Sequence, residues 1–566
     1  MANGRLMHLG RLGKNCAPVS FSLGEQSLNC LNPDKRSFIF LIVLLHIFFF
    51  WLQGAVIWAD ASSYINISDA LLTSQRGVGI ITGEPLWWHN YVPLGLPLLW
   101  NALALLPVKL IWPCLAVGQH AIAASALVYC TRSFYSTWPS RWFAVAAVAL
   151  CLIPFYQSMH NALLTESLSS SFLLISLGTS VGAINSRSMS ARASVLICIC
   201  IFFATQLRST VAVFCLGIAC ATLIRQGRLL SGNLAAFSLV FIFGILLFPS
   251  IRALDGGEFI FPRLGPSKLW AGLYANPNPS PELTERFRSY QLPPSISAER
   301  LLKEGASFGD VTTIMRSWID AGASSTEAIG KIEDMGRALI ADGYRPRLNS
   351  IGYGLSSSGF NLYLLALPAD YEIFRGFNGR KLFAHERNHY LYLSWVRPNV
   401  GAFDSQIAEF FEKDGKSELH RLFAASMKPY FRSQPTYLHF IMGLVAYIPL
   451  DLFFLLSIAA SAVLLRKDVL LGSIFLGIPL INIYITGSSL FADVRYSYAL
   501  LGTFLFSIAT CVALSPLPPT PVLLQISAII KRNFSFARTF RAAQSKVSSG
   551  PALEAKTISR ARTLSS

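Results

Sequence analysis

A carboxylate that takes a proton from a hydroxyl, working beside guanidinium groups that neutralise a phosphate, is a sufficient set of groups for many transfer reactions. The sequence carries such groups at the borders of its apolar runs. Asp60 directly follows the first of these runs, in WADASSYINISDALL. If that stretch continues as a helix, Tyr64 lies one turn away on the same face and Asp69 about half a revolution away. The two acids then cannot share one small site. Either can supply a base; the position at the membrane boundary favours Asp60, which can equally just mark the water interface.

Glu166, in HNALLTESLSSSFLLI, precedes another apolar run. There it answers the orphan amides of a first helical turn, or orients a substrate or a bound cation. Arg208 follows IFFATQL in a very short turn, where its planar fork suits phosphate oxygens or anchors the topology. Arg495, next to Tyr496 in FADVRYSYALLGTF, opens the last apolar run, and Asp493 is a ready partner for it. Glu84, His89, His160 and Arg252 complete the set.

A separate group lies in HERNHYLYLSWVRP, with His385, His389 and Arg397. The two histidines, spaced i,i+4 with Glu386 beside the first, superficially suggest a metal site. No further ligand is assigned, and the expectation is surface histidines on a loop helix.

The elements that position these groups follow from composition. The chain has 566 residues, 53% of them hydrophobic and only 14% charged, against about 25% charged in ordinary globular domains. Long apolar runs alternate with short basic punctuation, and crossing the hydrocarbon takes roughly 20 such residues. Ser37 to Trp58 is the first run that qualifies. The net charge of +17 is unevenly placed: residues 251–435 hold 20 acidic and 22 basic residues, and everything else 10 acidic and 25 basic. The surplus sits in tails and short turns, as the positive-inside rule requires. No folded basic face of the kind that binds nucleic acid is evident. None of the ten cysteines falls between residues 251 and 435, so that segment must hold together by an ordinary core or by docking.

The expected architecture is an all-α polytopic membrane protein of about ten spans. Residues 1–36 form a basic cytoplasmic tail, too long and mixed for a simple signal peptide, and the first apolar segment, long enough to span, is a retained anchor. Further apolar segments lie near 94–112, 115–131, 142–156, 167–184, 193–207, 209–224 and 232–250. The tail and the Arg132–Arg141 turn both belong in the cytoplasm, which leaves room for only one more crossing between Asp60 and Arg132. Prolines 93, 97, 107 and 113 interrupt the first of the two segments there, so 94–112 is expected to be re-entrant or interfacial, after a first outer loop at 59–92. Residues 251–435 form a large outer loop. Spans near 436–465, 469–489 and 496–516 follow, and residues 517–566 are a basic inner tail. Within the loop, 295–309 and 402–425 have helical character, the latter with Ile407, Phe410, Phe411 and Leu419 recurring. The Pro-, Gly- and Ser-rich stretches 262–294 and 342–360 are expected to be irregular. This topology places Asp60, Asp69, Glu84, His89, His160, Glu166, Arg208, Arg252, Asp493 and Arg495 on one outer face.

That ordered set of short motifs resembles the GT-C class of membrane glycosyltransferases, which includes protein O-mannosyltransferases and lipid A aminoarabinose transferases. An acid and a tyrosine follow the first helix, here Asp60 and Tyr64. A proline-containing surface segment comes next, here Tyr91-Val92-Pro93-Leu94. Glu166 then precedes a helix start, Leu207-Arg208-Ser209-Thr210 stands where the family often has LxRPT, and Arg495-Tyr496 precedes the last helix. The family often has paired acids where Ala59-Asp60 stands, a proline at Val92 and a proline at Ser209. The resemblance covers about 37–252 and 436–516 and leaves 253–435 uncovered.

The resemblance implies inverting transfer of a sugar from a polyprenyl-phosphate carrier to a glycan, lipid or protein acceptor outside a bacterial inner membrane. Asp60 would be the base, and Arg208, Arg252 or Arg495 would meet the phosphate, with Tyr64, Asp69, His89, Glu166 and Tyr496 as further binding candidates. Some members use a divalent cation (Mg or Mn), for which Asp60 and Glu166 are the candidate ligands. A polysaccharide polymerase or O-antigen ligase, in which His385, His389 and Arg397 would matter more, is the nearest alternative. A membrane transporter is the alternative of another class, although no second-half repeat is evident.

Overall fold

The structure is a computed structural model that describes residues 31–56, 65, 68, 95–163, 165–186, 188–228, 231–254, 259, 265–306, 308–355, 418–431, 450–489 and 499–515. Among these residues the secondary structure is helical, without a strand. The helices before the large loop are α1 (Arg36–Gln53), α2 (Gly95–Leu103), α3 (Val108–Thr137), α4 (Trp142–Leu152), α5 (Pro154–His160), α6 (Glu166–Ser186), α7 (Ala191–Leu207), α8 (Ser209–Arg225) and α9 (Gly232–Leu254). After the large loop come α17 (Leu450–Lys467), α18 (Val469–Ser489) and α19 (Leu501–Leu514). Among the described residues, Arg36–Gln53, Val108–Thr137, Glu166–Ile184 and Gly232–Ile251 are each long and apolar enough to cross a membrane. Their outward side chains are those that lipid calls for: Phe40 and Trp51 on α1, and Leu239 and Phe243 on α9, are exposed.

Contacts between turns fix the direction of each helix. At one end of the bundle the Arg132 guanidinium donates to the carbonyls of Pro33 (2.9 Å) and Asp34 (3.4 Å). At the same end the Gln226 amide donates to Ala183 O (2.9 Å), Ser194 meets Asn233, and Arg225 pairs with Asp468. At the other end the Asn161 amide donates to Gln53 Oε1 (3.2 Å), and isolated bridges join Val56 to Ala162 and Ala55 to Phe431. The turns holding Arg132, Arg225 and Asp468 therefore gather at one pole, and the turn holding His160 and Asn161 at the other.

The segment expected at 94–112 is divided differently. Helix α2 has nine residues, about 14 Å of helix, too short to span. The break falls at Leu106-Pro107, and Pro113 lies inside α3. The 142–156 run is two helices, α4 and α5, separated at Ile153, where Pro154 starts the second from the position that needs no amide hydrogen.

The loop is more ordered than its composition suggests. Helices α10 (Gly265–Ala275), α11 (Pro281–Ser289), α12 (Ala298–Glu304), α13 (Phe308–Asp320), α14 (Ser325–Ala341) and α15 (Tyr344–Leu355) replace the coil expected over 262–294 and much of 342–360. Serines 280, 297 and 324 cap α11, α12 and α14 by accepting from the third residue on, and each helix carries an acid in its first turn. The helix expected over 295–309 stops at Gly305, whose φ of 88° ends α12, and a new helix begins at Phe308. Trp270, Phe287, Ile314, Trp318, Ile332 and Leu339 belong to one buried core of this unit. Helices α10 and α14 cross closely enough that a Cβ on Gly272 would lie 2.6 Å from the Gly336 carbonyl oxygen. Helix α15 also packs against α18, which docks the loop on the membrane part. Of the stretch expected to be helical over 402–425, α16 (Glu418–Met427) is described, with Leu419 buried; Ile407, Phe410 and Phe411 lie outside the described residues.

Candidate functional site

The second pole of the bundle is built in layers. Helix α16 lies against the start of α3, where the Trp112 amide donates to Ser426 Oγ at 2.8 Å. Tyr430 packs its ring over Trp112 with centroids 4.7 Å apart, Phe50 stacks on Trp112, and the Ala55 amide donates to Tyr430 O. Trp100 of α2 is fully buried in the same cluster and meets Phe423. The end of the large loop thus covers the end of α1, α2 and the start of α3.

Under and beside this cover lies a buried ion pair. Arg208 Nη1 is 3.0 Å from Glu166 Oε1, and the two side chains are 13% and 3% exposed. Glu166 opens α6 and also accepts from Thr165 Oγ1 at 3.2 Å. Arg208 caps α7, whose last turn is held to α9 by the Gln206 amide donating to Gly244 O at 2.7 Å. The N-terminus of α2 approaches the same turn: a Cβ on Gly95 would lie 2.6 Å from Gln206 O. With so little water, each charge of the pair offsets much of the cost of burying the other.

A second polar cluster flanks the start of α6. His46 of α1, His120 of α3 and His160 of α5 have ring centroids 5.1 to 5.3 Å apart. His46 Nδ1 and His120 Nδ1 are 3.0 Å apart, and His120 Nε2 is 3.2 Å from Asn161 Oδ1. His160 Nδ1 is 2.8 Å from Ser167 Oγ, next in sequence to Glu166. The Trp112 indole donates to Asn161 O at 3.1 Å, which ties this cluster to the cover above it.

Of the residues expected to form a site, the structure brings together Glu166 and Arg208 and places His160 near them, through Ser167. Arg252 lies on α9, and its side chain is not among those described. Asp60, Tyr64, Asp69, Glu84, His89, Asp493, Arg495 and Tyr496 lie outside the described residues, as do His385, His389 and Arg397. His46 and His120 escaped the sequence reading. The signal was present: each is a polar residue inside an apolar span, in LLHIFF and GQHAIA, where burial is costly unless it serves a purpose. Among the described residues no three His, Cys, Asp or Glu side chains already stand as a group that could hold a metal ion. Neither a protein-family model nor a curated protein matches the chain.

Proposed function

We propose that the protein is an inverting glycosyltransferase of the GT-C kind, moving a sugar from a polyprenyl-phosphate carrier to an extracytoplasmic glycan, lipid or protein. The observation that carries this reading is the Glu166–Arg208 pair, 3.0 Å apart and buried where the loop covers the bundle. Two motifs of the resemblance, separated by about forty residues, meet there in space.

In this reading the chain crosses a bacterial inner membrane about ten times. The pole holding Arg132, Arg225 and Asp468 faces the cytoplasm, and the pole holding Glu166 and Arg208 faces the periplasm. Arg208 meets the donor phosphate, whose departure needs neutralised charge more than a proton. Glu166 holds the guanidinium in place, a role that competes with binding a divalent cation. Asp60 takes the proton from the acceptor hydroxyl as that oxygen attacks the anomeric carbon, the bond to phosphate breaks, and the configuration inverts. Arg252 and Arg495 are further phosphate contacts, with Tyr64, Asp69, His89 and Tyr496 lining the substrate.

The test uses full-length protein in proteoliposomes with radiolabelled polyprenyl-phosphate sugars and an envelope extract as acceptor. Transfer of label by the wild type, lost in Asp60→Asn with folding intact, is the expected result. Normal turnover by correctly inserted Asp60→Asn would remove the base assignment. Solute flux without consumption of lipid-linked sugar would replace the whole reading with a transporter.

A further inference from the structure

The histidine cluster plays no part in the transfer chemistry just described, yet three helices bring its buried rings together. We infer that His46, His120 and His160 together bind one divalent metal ion of the zinc class. The inference stands independently of the glycosyltransferase reading.

Three observations support it. The first is spacing. In a tetrahedral site with metal–nitrogen bonds of about 2.0–2.1 Å, ligand nitrogens lie roughly 3.3 Å apart and imidazole centres roughly 5.2 Å apart. Here the three centroid separations are 5.2, 5.3 and 5.1 Å, and the one close nitrogen pair, His46 Nδ1 and His120 Nδ1, stands at 3.0 Å. The rings come from three different helices, so an ion would pin α1, α3 and α5 to one another.

The second is the outer shell. A ligating histidine ordinarily gives its other N–H to an oxygen that fixes its tautomer. The Asn161 amide nitrogen donates to Gln53 Oε1 and Phe49 O, so its Oδ1 is left to accept from His120 Nε2–H, and His120 Nδ1 then accepts from His46 Nδ1–H, the proton that a metal ion would displace. His160 has Ser167 Oγ at 2.8 Å from Nδ1, and donating there bares its Nε2. The Gln119 amide, turned nitrogen-first, reaches Met159 O, His160 O and Ser167 Oγ at 3.1, 3.2 and 3.3 Å, which braces Ser167 in turn.

The third is an unmet need. The rings are 0–5% exposed, and the Nε2 atoms of His46 and His160 are buried without a hydrogen-bond partner among the described residues. A buried polar atom without a partner is costly. Binding gives His160 Nε2 one, by drawing it onto the His46–His120 pair; the three donors are not yet gathered around one point. Imidazole donors suit zinc, cobalt, nickel and copper rather than magnesium or manganese, which separates this site from any cation on Asp60 and Glu166.

The full chain, purified in detergent and stripped with chelator, is titrated with cobalt(II) and then zinc. The proposal expects tetrahedral cobalt absorption at one equivalent per chain, displaced by one equivalent of zinc. His46→Ala, His120→Ala and His160→Ala each abolish it. The double variant His385→Ala/His389→Ala, which removes the His-Glu-x-x-His run of the loop, retains it. Wild-type protein without the absorption overturns the proposal, whatever the variants do. So does absorption that survives in the three single variants and disappears in the double variant.

Discussion

Glu166 and Arg208 sit where a charge has almost no water to fall back on. Converting Glu166 to Gln removes the carboxylate 3.0 Å from Arg208 and weakens the compensation for burying the guanidinium, which lowers stability. Thermal unfolding in detergent should show a lowered midpoint for Glu166→Gln and for Arg208→Ala. The exchange Glu166→Arg/Arg208→Glu should recover part of the loss, whereas additive losses would mean that the pair does not act as one. Arg495→Ala is expected to weaken use of the lipid-linked donor, seen as a raised KM for it; an unchanged KM would argue against a phosphate contact. The acid and the arginine were legible in the sequence because a charge at the edge of an apolar run is conspicuous. The histidines were not, because a periodicity-based reading treats His46 and His120 as interruptions in a span and has no means of bringing three spans together.

Among the elements, the loop departs most from what composition suggests. Prolines and serines that read as coil over 262–294 are helix starters: Ser280 caps and Pro281 opens α11. Its hydroxyl also donates to Asp342 Oδ1 at 2.7 Å, while the Ser280 amide and the Asn276 side chain donate to Oδ2 at 2.8 Å each. Burial by itself would raise the Asp342 carboxyl, but the bonds from Ser280 and Asn276 outweigh it and hold the group below the ordinary aspartate value of 3.8. A depressed carboxyl contributes stability above its unfolded pKa and loses it as pH falls through the lower folded value. Hydrogen exchange over residues 276–284 should therefore quicken on acidification below pH 3.8, and this response should be absent in Asp342→Asn. A second prediction concerns the crossing of α10 and α14. Gly336→Val would drive a side chain into the Lys268 backbone, and limited proteolysis should then cut within residues 265–341 where the wild type resists. In contrast, the capping serines before α12 and α14 follow the Ser-x-Glu (Ser297, Glu299) and Ser-x-x-Glu (Ser324, Glu327) patterns that mark helix starts, which is why 295–309 was already legible as helical.

For the whole molecule, the basic turns mark where distant parts of the chain meet. The Arg132 contact with Pro33 and Asp34 joins the two turns that the positive-inside rule had assigned to one side, and the Arg225–Asp468 pair joins two more. Apolar length alone would have counted 94–112 as a span. The charge argument removed it, and the structure divides the stretch between the nine-residue α2 and the start of α3 at Val108. What the sequence could not supply is the cover: that residues 418–431 return over Trp100 and Trp112 depends on contacts more than 300 residues apart, which no local pattern records.

Glycosyl transfer as proposed requires distant charged groups to meet at the extracytoplasmic end of the bundle. Single cysteines placed at Asp60, Arg495 and Arg228, in a chain without its own, can be labelled from outside intact cells by a membrane-impermeant maleimide. Labelling at 60 and 495, with 228 reactive only after the membrane is opened, is the predicted result. Finding positions 60 and 495 on opposite sides of the bilayer would contradict it.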